Sequence, residues 1–319
     1  MPDLRTTLLM KLQYEFPLTA TPFLDVAREL GVSEELALSE LRRLAETGVL
    51  KRVGFYYNYR SRRQVAALIG VACGERYSEA AEATRRDPLT THSYLRDHPE
   101  VNLWVVARRA SRGELIEYAE ELARLCGSSR YTVLFSKKTL KLSVKYDLLE
   151  GVSRSGSYSK LPENPPRPED LGVDPRLPEM LRSLPLESRP YREIAGKLGL
   201  SENEVLEAVV RLLEAGVLGD PGAALDGKKL GFRENAMIIA KLNGSEELAS
   251  CLASIPYTTH VVLREVYPPS SWEFDGYAMV HATRRDKVYE VLELIASKCS
   301  LRDTRVLFSV EDLKPEVVR

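Results

Sequence analysis

The sequence predicts an α+β protein made of two tandem copies, each a winged helix-turn-helix followed by a ferredoxin-like βαββαβ domain. Three repeated stretches predict it. A 26-residue stretch that starts at Ala27 recurs 168 residues later with twelve identical positions. "PLTTHSYLR" from Pro88 recurs at the same offset as "PYTTHVVLR", and "VLFSKKTLK" from Val133 recurs 173 residues later as "VLFSVEDLK". Self-similarity in this order along the chain is the signature of a duplication.

Each copy opens with the pattern of a helix-turn-helix. In copy one, Ser33 stands before Glu34 and Glu35, which predicts a helix start, because a serine side chain caps free backbone N–H groups and acidic residues complement the helix dipole. Apolar residues then recur at helical spacing up to Gly48, and "VLKRVGFYY" follows as a predicted wing strand. Copy two repeats the pattern from Ser201.

Each copy then continues in the order strand, helix, strand, strand, helix, strand. Copy one has "VAALIGVAC", "SEAAEATRR", "TTHSYLR", "NLWVVARR", "GELIEYAEELARLC" and "YTVLFSKK", and copy two has matching segments from "NAMIIAKL" to "TRVLFSV". This order predicts an antiparallel sheet with two helices on one face. A Pro- and Ser-rich segment between the copies predicts a linker. The predicted domains are 1–53 and 54–146 in copy one, 147–176 as the linker, and 177–221 and 222–319 in copy two.

Composition places the chain among folded globular proteins, with 44% hydrophobic and 29% charged residues. No apolar run is long enough to span a bilayer and the N-terminus lacks a secretory signal pattern. We therefore expect no membrane partner and a cytoplasmic location. The four cysteines are widely separated and form no CxxC pair, which argues against zinc, an iron–sulfur cluster or a disulfide framework. The net charge of −1 gives no support to nucleic-acid binding.

Two longer strings, "THSYLRDHPEVNLWVV" and "HVVLREVYPPSSWEFDGYAMVH", resemble motifs of the Lrp/AsnC superfamily, and more closely those of its siroheme decarboxylase branch. The resemblance covers nearly the whole chain outside the linker, and each string is similar to the motif of a different subunit type, so the chain looks like both subunits fused. The resemblance implies AsnC-type domains that form an internal pseudo-dimer, with further homo-oligomers left open.

The same resemblance implies a cytoplasmic lyase of the alternative haem (porphyrin) biosynthesis route. Such a carboxy-lyase removes carbon dioxide from two ring acetates of siroheme and gives 12,18-didecarboxysiroheme. Its partners are siroheme and the decarboxylated products. It implies no cofactor, because the siroheme substrate carries the iron and its conjugated ring can accept electrons.

The repeated His and Arg are the candidate catalytic and binding residues. Loss of carbon dioxide leaves an electron pair on carbon, and histidine suits the delivery of a proton there because it titrates near neutral pH. His92 and His260 are therefore predicted to be catalytic. Residues four apart on a strand share a face, so Arg96 and Arg264 are predicted to lie beside them. We expect the arginines to hold carboxylates that the substrate keeps, since pairing with the departing one would stabilise the ground state.

Eight further residues are predicted to bind the substrate, because they are polar or aromatic and lie near the two motifs or in the basic run "KRVGFYYNYRSRR". They are His98, Asn102, Trp104, Trp272, Tyr277, His281, Arg52 and Tyr57. Two of the histidines, His98 and His281, are candidate axial ligands to the siroheme iron. His98 and the Asn102–Trp104 triplet have no counterpart in copy two, and His281 and Trp272 have none in copy one. Either the two sites differ to suit two different side chains of the substrate, or one site is degenerate.

Simpler roles stay open for several of these residues. A histidine on a strand is often a structural hydrogen-bonding group, and tryptophan is suited to a core. The basic run is also typical of a solvated wing, and Arg108 and Arg109 at a strand end are expected to be solvated.

Two other functions remain as alternatives: an Lrp/AsnC-type transcription regulator that senses a metabolite, and a haem-binding sensor. In the predicted recognition helix of copy two, "SENEVLEAVVRLLEAG", the charged residues are glutamates apart from Arg211. DNA phosphates repel such a helix, and the corresponding helix of copy one is hardly better. DNA binding is therefore not expected.

Overall fold

The computed structural model describes residues 3–156 and 162–315. The outermost ends of the predicted domains, residues 1–2 and 316–319, and residues 157–161 of the predicted linker lie outside the described residues. The chain divides into two compact units. The first consists of Met1–Arg62 with Leu142–Arg233, and the second of Arg63–Lys141 with Glu234–Arg319.

The α-helices of the described residues are α1 (Leu4–Tyr14), α2 (Pro22–Glu29), α3 (Glu34–Glu46), α4 (Ser78–Arg86), α5 (Arg112–Leu125), α6 (Leu177–Met180), α7 (Pro190–Leu198), α8 (Glu202–Glu214), α9 (Glu246–Ser254) and α10 (Arg285–Cys299). None of these helices is both long and apolar enough to cross a membrane. The β-strands are β1 (Leu50–Tyr57), β2 (Val65–Val71), β3 (Thr90–Arg96), β4 (Leu103–Arg109), β5 (Tyr131–Leu142), β6 (Lys145–Asp147), β7 (Val152–Arg154), β8 (Leu218–Leu225), β9 (Glu234–Ala240), β10 (His260–Tyr267), β11 (Gly276–Ala282) and β12 (Thr304–Asp312).

Two helix-turn-helix pairs, α2–α3 and α7–α8, share one hydrophobic core in the first unit. The predicted helix starts are confirmed. The Ser33 hydroxyl accepts a hydrogen bond from the N–H three residues on, and Ser201 forms a reciprocal capping box with Glu204. Residues of both copies, such as Leu41 and Leu212, line the same core. The helical parts of the two copies therefore fold as one body.

The strand predicted as the wing of copy one is β1, and it pairs antiparallel with β8 of copy two. Gly54 lies opposite Gly222 in this register. A Cβ at Gly54 would lie 2.5 Å from the Arg182 carbonyl oxygen, so this close backbone approach requires glycine. The two strands predicted as separate wings thus form one sheet between the copies.

The second unit contains both βαββαβ copies, with the predicted element orders β2-α4-β3-β4-α5-β5 and β9-α9-β10-β11-α10-β12. The two four-stranded sheets join each other at both edges, whereas the resemblance implied only that the two copies form an internal pseudo-dimer. β3 pairs with β12, and β5 pairs with β10. Eight strands therefore close into a barrel in the order β5-β2-β4-β3-β12-β9-β11-β10. Closure pairs strand edges that two separate sheets would leave free.

Alternate residues of each strand face opposite sides of this barrel. In copy one, residues such as Val105 pack with Leu122 of α5 in an outer core. The inner face carries a second apolar cluster with members from both copies, among them Trp104, Tyr277 and Leu307. An eight-stranded barrel is just wide enough for its side chains to fill. This cluster is an apolar core that the two copies share.

Two buried lysines at equivalent positions, Lys141 and Lys314, each reach into the other copy. The Lys141 ammonium group donates to the Ile255 carbonyl at 2.7 Å, at the end of α9. Lys314 donates to the carbonyls of Thr84 and Asp87, at the end of α4. Carbonyls at a helix C-terminus carry partial negative charge, so each lysine caps the first βαββαβ helix of the opposite copy.

All four cysteines form disulfides, so the expectation of no disulfide framework was wrong. Cys73 bonds Cys126 at the end of α5, and Cys251 on α9 bonds Cys299, the last residue of α10. The partners are 53 and 48 residues apart in sequence. Their spacing gave no signal, because only the packing of α5 against β2 and of α9 against α10 in the folded chain brings the partners together.

Burial lowers the pKa of Lys141 from 10.5 to about 8. Between these values the unfolded chain binds more protons than the folded chain, so this group makes stability rise with pH. From pH 8 to 10.5 we expect the free energy of unfolding of the native chain to rise by up to about 3 kcal/mol relative to a Lys141→Met variant. Urea unfolding at a series of pH values measures the difference. The exposed neighbour variant Lys137→Met should show no such trend, and a pH-independent difference for Lys141→Met would contradict the assignment.

Each disulfide should stabilise the second unit by about 2–4 kcal/mol, because a bridge between distant residues restricts the unfolded chain. We expect reductant to lower the urea midpoint of the native chain. A variant with all four cysteines changed to serine should unfold at a low midpoint that reductant does not alter. Equal midpoints for the native chain with and without reductant, under conditions where free thiols are detected, would count against a stabilising role.

Candidate functional site on the inner face of the barrel

The shared face predicted for the first motif is confirmed on β3. Ser93 forms a hydrogen bond with Thr84 of α4, and Leu95 belongs to the outer core. Because side chains alternate along a strand, His92 and Arg96 occupy the inner face. A catalytic candidate and a binding candidate thus lie on one surface.

His92 and His260 stand at equivalent positions near the start of β3 and β10. Nδ1 of His92 lies 2.8 Å from Oγ1 of Thr91, and Nδ1 of His260 lies 3.3 Å from Oγ1 of Thr259. Both histidines are half-buried. The two predicted catalytic residues therefore have the same local setting in both copies.

Each threonine hydroxyl lies between a main-chain carbonyl and Nδ1 of the neighbouring histidine. Thr91 donates to the Val106 carbonyl and Thr259 donates to the Met279 carbonyl, each at 3.3 Å. A hydroxyl has one proton to donate, so it accepts from Nδ1–H when it donates to the carbonyl, and otherwise it can donate to Nδ1. In the protonated imidazole both nitrogens carry a proton, so the hydroxyl accepts from Nδ1–H and does not hold the proton on Nε2.

The arginines of the two motifs cross from one copy to the other. Arg96 is 4% exposed and donates to the carbonyls of Leu307 at 2.9 Å and Asn235 at 3.3 Å. Arg264 is half-buried and donates to the Leu134 carbonyl at 3.0 Å. Leu134 and Leu307 are equivalent residues of β5 and β12, so the two contacts are reciprocal. Both arginines help to hold the barrel closed.

The predicted aromatic residues gather in the inner apolar cluster. The ring of Trp272 lies 5.3 Å from that of Trp104, 5.2 Å from that of His98 and 5.7 Å from that of Phe274, between centroids. Trp104 donates its indole N–H to the Val101 carbonyl, just before β4, and Tyr277 donates its hydroxyl to the Phe274 carbonyl. Because these polar atoms have local partners, Trp104 and Tyr277 contribute mainly apolar ring surface.

His98 is held as a hydrogen-bond acceptor. Its Nδ1 accepts from the N–H groups of Glu100 and Val101 at 3.3 and 3.0 Å. Burial, together with the charge of Arg305, lowers the pKa of His98, so the neutral ring carries its proton on Nε2. A protonated nitrogen has no lone pair for a metal. This geometry disfavours His98 as an axial iron ligand and leaves His281 as the candidate.

Asn102 makes its hydrogen bonds within the protein. It accepts from the N–H groups of Cys73 and Gly74 at 3.1 Å and donates to the Gly74 carbonyl at 2.7 Å. Asp275 accepts from the N–H groups of the equivalent loop in copy two. Asn102 therefore stabilises the loop after β2, and it has a counterpart that a search for identical residues missed.

Two predicted site residues, Arg52 and Tyr57, lie on β1 in the first unit, whereas the other ten lie in the second. Arg52 donates to the Arg182 carbonyl at 2.9 Å, and burial lowers the pKa of its guanidinium. The guanidinium of Arg62 lies 4.2 Å from the centre of the Tyr57 ring. These contacts lie within the first unit, so the structure does not group Arg52 and Tyr57 with the inner-face residues.

Sequence inspection missed three residues of this surface. Thr91 and Thr259 stand in the repeated "TTH" itself, so the repeat contained their signal. Arg108 was expected to be solvated, but it is half-buried and lies on the inner face, because Val105 and Ala107 of the same strand face the helices. Over residues 3–156 and 162–315, no group of three or more His, Cys, Asp or Glu side chains is placed to hold a metal ion.

Two family profiles match the chain, and each matches it twice. The AsnC-like ligand binding domain matches residues 65–141 and 229–314. The siroheme decarboxylase NirDL-like HTH domain matches residues 6–50 and 178–218. The first profile covers both βαββαβ copies, and the second covers both helix-turn-helix pairs.

Curated relatives match along the full length. The siroheme decarboxylase of Hydrogenobacter thermophilus is 27% identical over 96% of this chain and 92% of its own. The siroheme decarboxylase NirDL subunit of Paracoccus denitrificans is 30% identical over 97% of this chain and 94% of its own.

A solved structure shows the same fold. The crystal structure of siroheme decarboxylase NirDL in co-complex with an iron-uroporphyrin III analogue is 24% identical, with a TM-score of 0.63, and covers 97% of this chain and 91% of that one. Taken with both matched profiles and with the full-length relatives, the duplicated architecture means that the chain belongs to the siroheme decarboxylase family.

Proposed function

We propose that this chain decarboxylates siroheme, removing carbon dioxide from two ring acetates to give 12,18-didecarboxysiroheme. One observation carries the proposal: a siroheme decarboxylase NirDL subunit aligns at 30% identity over 97% of the chain. The similarity therefore extends over both copies and both His–Arg strands. A relative that matched one copy alone would support the shared fold but not a shared two-copy activity.

The chemistry needs little from the protein beyond placement and a proton. The bond between the acetate methylene carbon and its carboxyl carbon breaks, and its electron pair stays on the methylene carbon. The adjoining conjugated ring of the substrate takes up this electron density. A proton then adds to the carbon and completes a methyl group. The protein must orient the acetate, exclude water from the carboxylate and supply the proton.

His92 and His260 suit the role of proton donor. In the charged form of each ring the threonine hydroxyl can accept from Nδ1–H, and the proton on Nε2 can be given to carbon. The two equivalent histidines supply one donor for each acetate.

The arginines suit a binding role, but not equally. Arg96 is 4% exposed and donates to Leu307 and Asn235, so it acts mainly by closing the barrel. Arg264 is half-buried and is the better candidate to hold a carboxylate that the substrate keeps. Direct pairing with the departing carboxylate would favour the ground state and slow the reaction.

A DNA-binding regulator is the less supported alternative. In α8 the charged residues are glutamates apart from Arg211, and β1 and β8 pair with each other where a winged helix would present each wing to DNA.

We further propose that the enzyme needs no cofactor beyond the iron of its substrate. The cytoplasmic location and any further oligomer stay predictions, and the two disulfides are unusual for a cytoplasmic protein outside hyperthermophiles.

Anaerobic incubation of the purified chain with siroheme, followed by mass analysis, tests the proposal. We expect the product to have lost two carbon dioxide units. His92→Ala and His260→Ala should each stop one of the two steps, because each removes one proton donor, and a general acid contributes about 10²–10⁴-fold to rate. Unchanged siroheme after incubation with the native chain would overturn the function. Full activity in the double variant would overturn the role of the histidines.

A milder change tests the threonine contact. Thr91→Val keeps the shape but removes the acceptor from Nδ1 of His92. We expect the affected step to slow about 3- to 10-fold. The alkaline limb of its pH–rate profile should also move to lower pH, because an acceptor beside Nδ1 stabilises the protonated ring. Thr259→Val is the matched variant and should shift the other step instead. A slower rate with an unmoved profile would indicate a structural role only.

A further inference from the structure

The equivalent ends of the barrel differ at two inner-face positions. Ala66 pairs with Arg108 across β2 and β4, and Asn235 pairs with His281 across β9 and β11. The two pairs correspond, because each joins the second residue of a copy's first strand to the sixth residue of its third strand. One copy thus holds Ala and Arg where the other holds Asn and His.

At the Asn235 end, the protein satisfies the crossing arginine with its own amide. Arg96 donates to the carbonyl and to the side-chain oxygen of Asn235, the latter at 3.2 Å, as well as to Leu307. Its guanidinium therefore spans β12 and β9. Arg96 itself is only 4% exposed.

At the other end, Arg264 takes the place of Arg96. It donates to the Leu134 carbonyl and, at 3.4 Å, to the Ser136 hydroxyl, both on β5. The strand next to β5 is β2, where Ala66 stands in the place of Asn235. Ala66 has no side-chain oxygen, so the position that the Asn235 amide occupies at the other end carries only a methyl group here. Arg264 is half-buried, in contrast to Arg96.

Arg108 brings a second positive charge to this position. It pairs with Ala66 on the neighbouring strand, and neighbouring strands lie about 4.8 Å apart. Arg108 is half-buried on the same inner face. Two guanidinium groups on either side of an alanine suit a carboxylate, because the planar fork of arginine donates two parallel hydrogen bonds to carboxylate oxygens.

We propose that Arg108 and Arg264, on either side of Ala66, form a binding site for a side-chain carboxylate that the substrate keeps through the reaction. The inference rests on the proposed function and deepens it. Because Arg96 donates to Asn235 at the other end, and His281 stands there instead of a second arginine, only one end of the barrel anchors a carboxylate in this way. An asymmetric ring is then held in one orientation.

Two variants test the site by different means. Arg108→Gln removes one charge, and Ala66→Asn introduces the amide that Arg96 meets at the other end. The matched control is Arg109→Gln, which removes the same charge one residue away on the outer face, where Arg109 pairs with Asp87 at 2.8 Å. Absorption titrations with siroheme and with uroporphyrin III, a metal-free porphyrin with carboxylate side chains, measure Kd without turnover.

We expect both variants to bind siroheme and uroporphyrin III about 10- to 100-fold more weakly, because each loses one charge-assisted contact to a carboxylate. The control Arg109→Gln should bind both compounds like the native chain. If Arg108→Gln binds with native affinity, or if Arg109→Gln loses as much affinity as Arg108→Gln, the proposed carboxylate site is contradicted. This holds even if the native chain decarboxylates siroheme. If binding depends on Arg108 but the native chain releases no carbon dioxide from siroheme, the carboxylate site is supported and the proposed function is contradicted. If the native chain binds neither siroheme nor uroporphyrin III, both the carboxylate site and the proposed function are contradicted.

Discussion

The pairing of β3 with β12 and of β5 with β10 is the interaction on which the second unit depends. Each pairing joins a motif strand of one copy to the last strand of the other, so neither inner face is complete within one copy. The reciprocal contacts of Arg96 and Arg264, and the helix caps from Lys141 and Lys314, all span these two joins. Closing the edges also removes free strand backbone that would otherwise invite aggregation.

Because the barrel closes, the duplication affects the chemistry of its inner face. Two copies with the same motif strands enclose one interior, and differences between them become differences between the two ends of that interior. His92 and His260 keep the same threonine contact at both ends, whereas the neighbouring inner-face positions have diverged to Ala66 and Arg108 at one end and Asn235 and His281 at the other. Retained histidines with altered surroundings fit an enzyme that performs one reaction on two side chains of an asymmetric ring.

Local structure could be predicted from the sequence because its causes are local. Ser33 and Ser201 start helices through their own hydroxyls, and the four-residue spacing put His92 and Arg96 on one face. Contacts between distant segments could not be predicted. No residue pattern marks the backbone edges that pair β3 with β12. The disulfide partners meet only in the folded chain. Asn235 accepts from Arg96 only because the barrel is closed.

The central claim is that the inner-face residues of the closed barrel hold and protonate the macrocycle. A crystal structure of this chain with iron-uroporphyrin III bound tests it most directly. The account predicts that Nε2 of His92 or His260 lies within hydrogen-bonding distance of a ring side chain, and that Arg264 and Arg108 contact a carboxylate. A macrocycle bound with none of these four residues in contact would contradict the account.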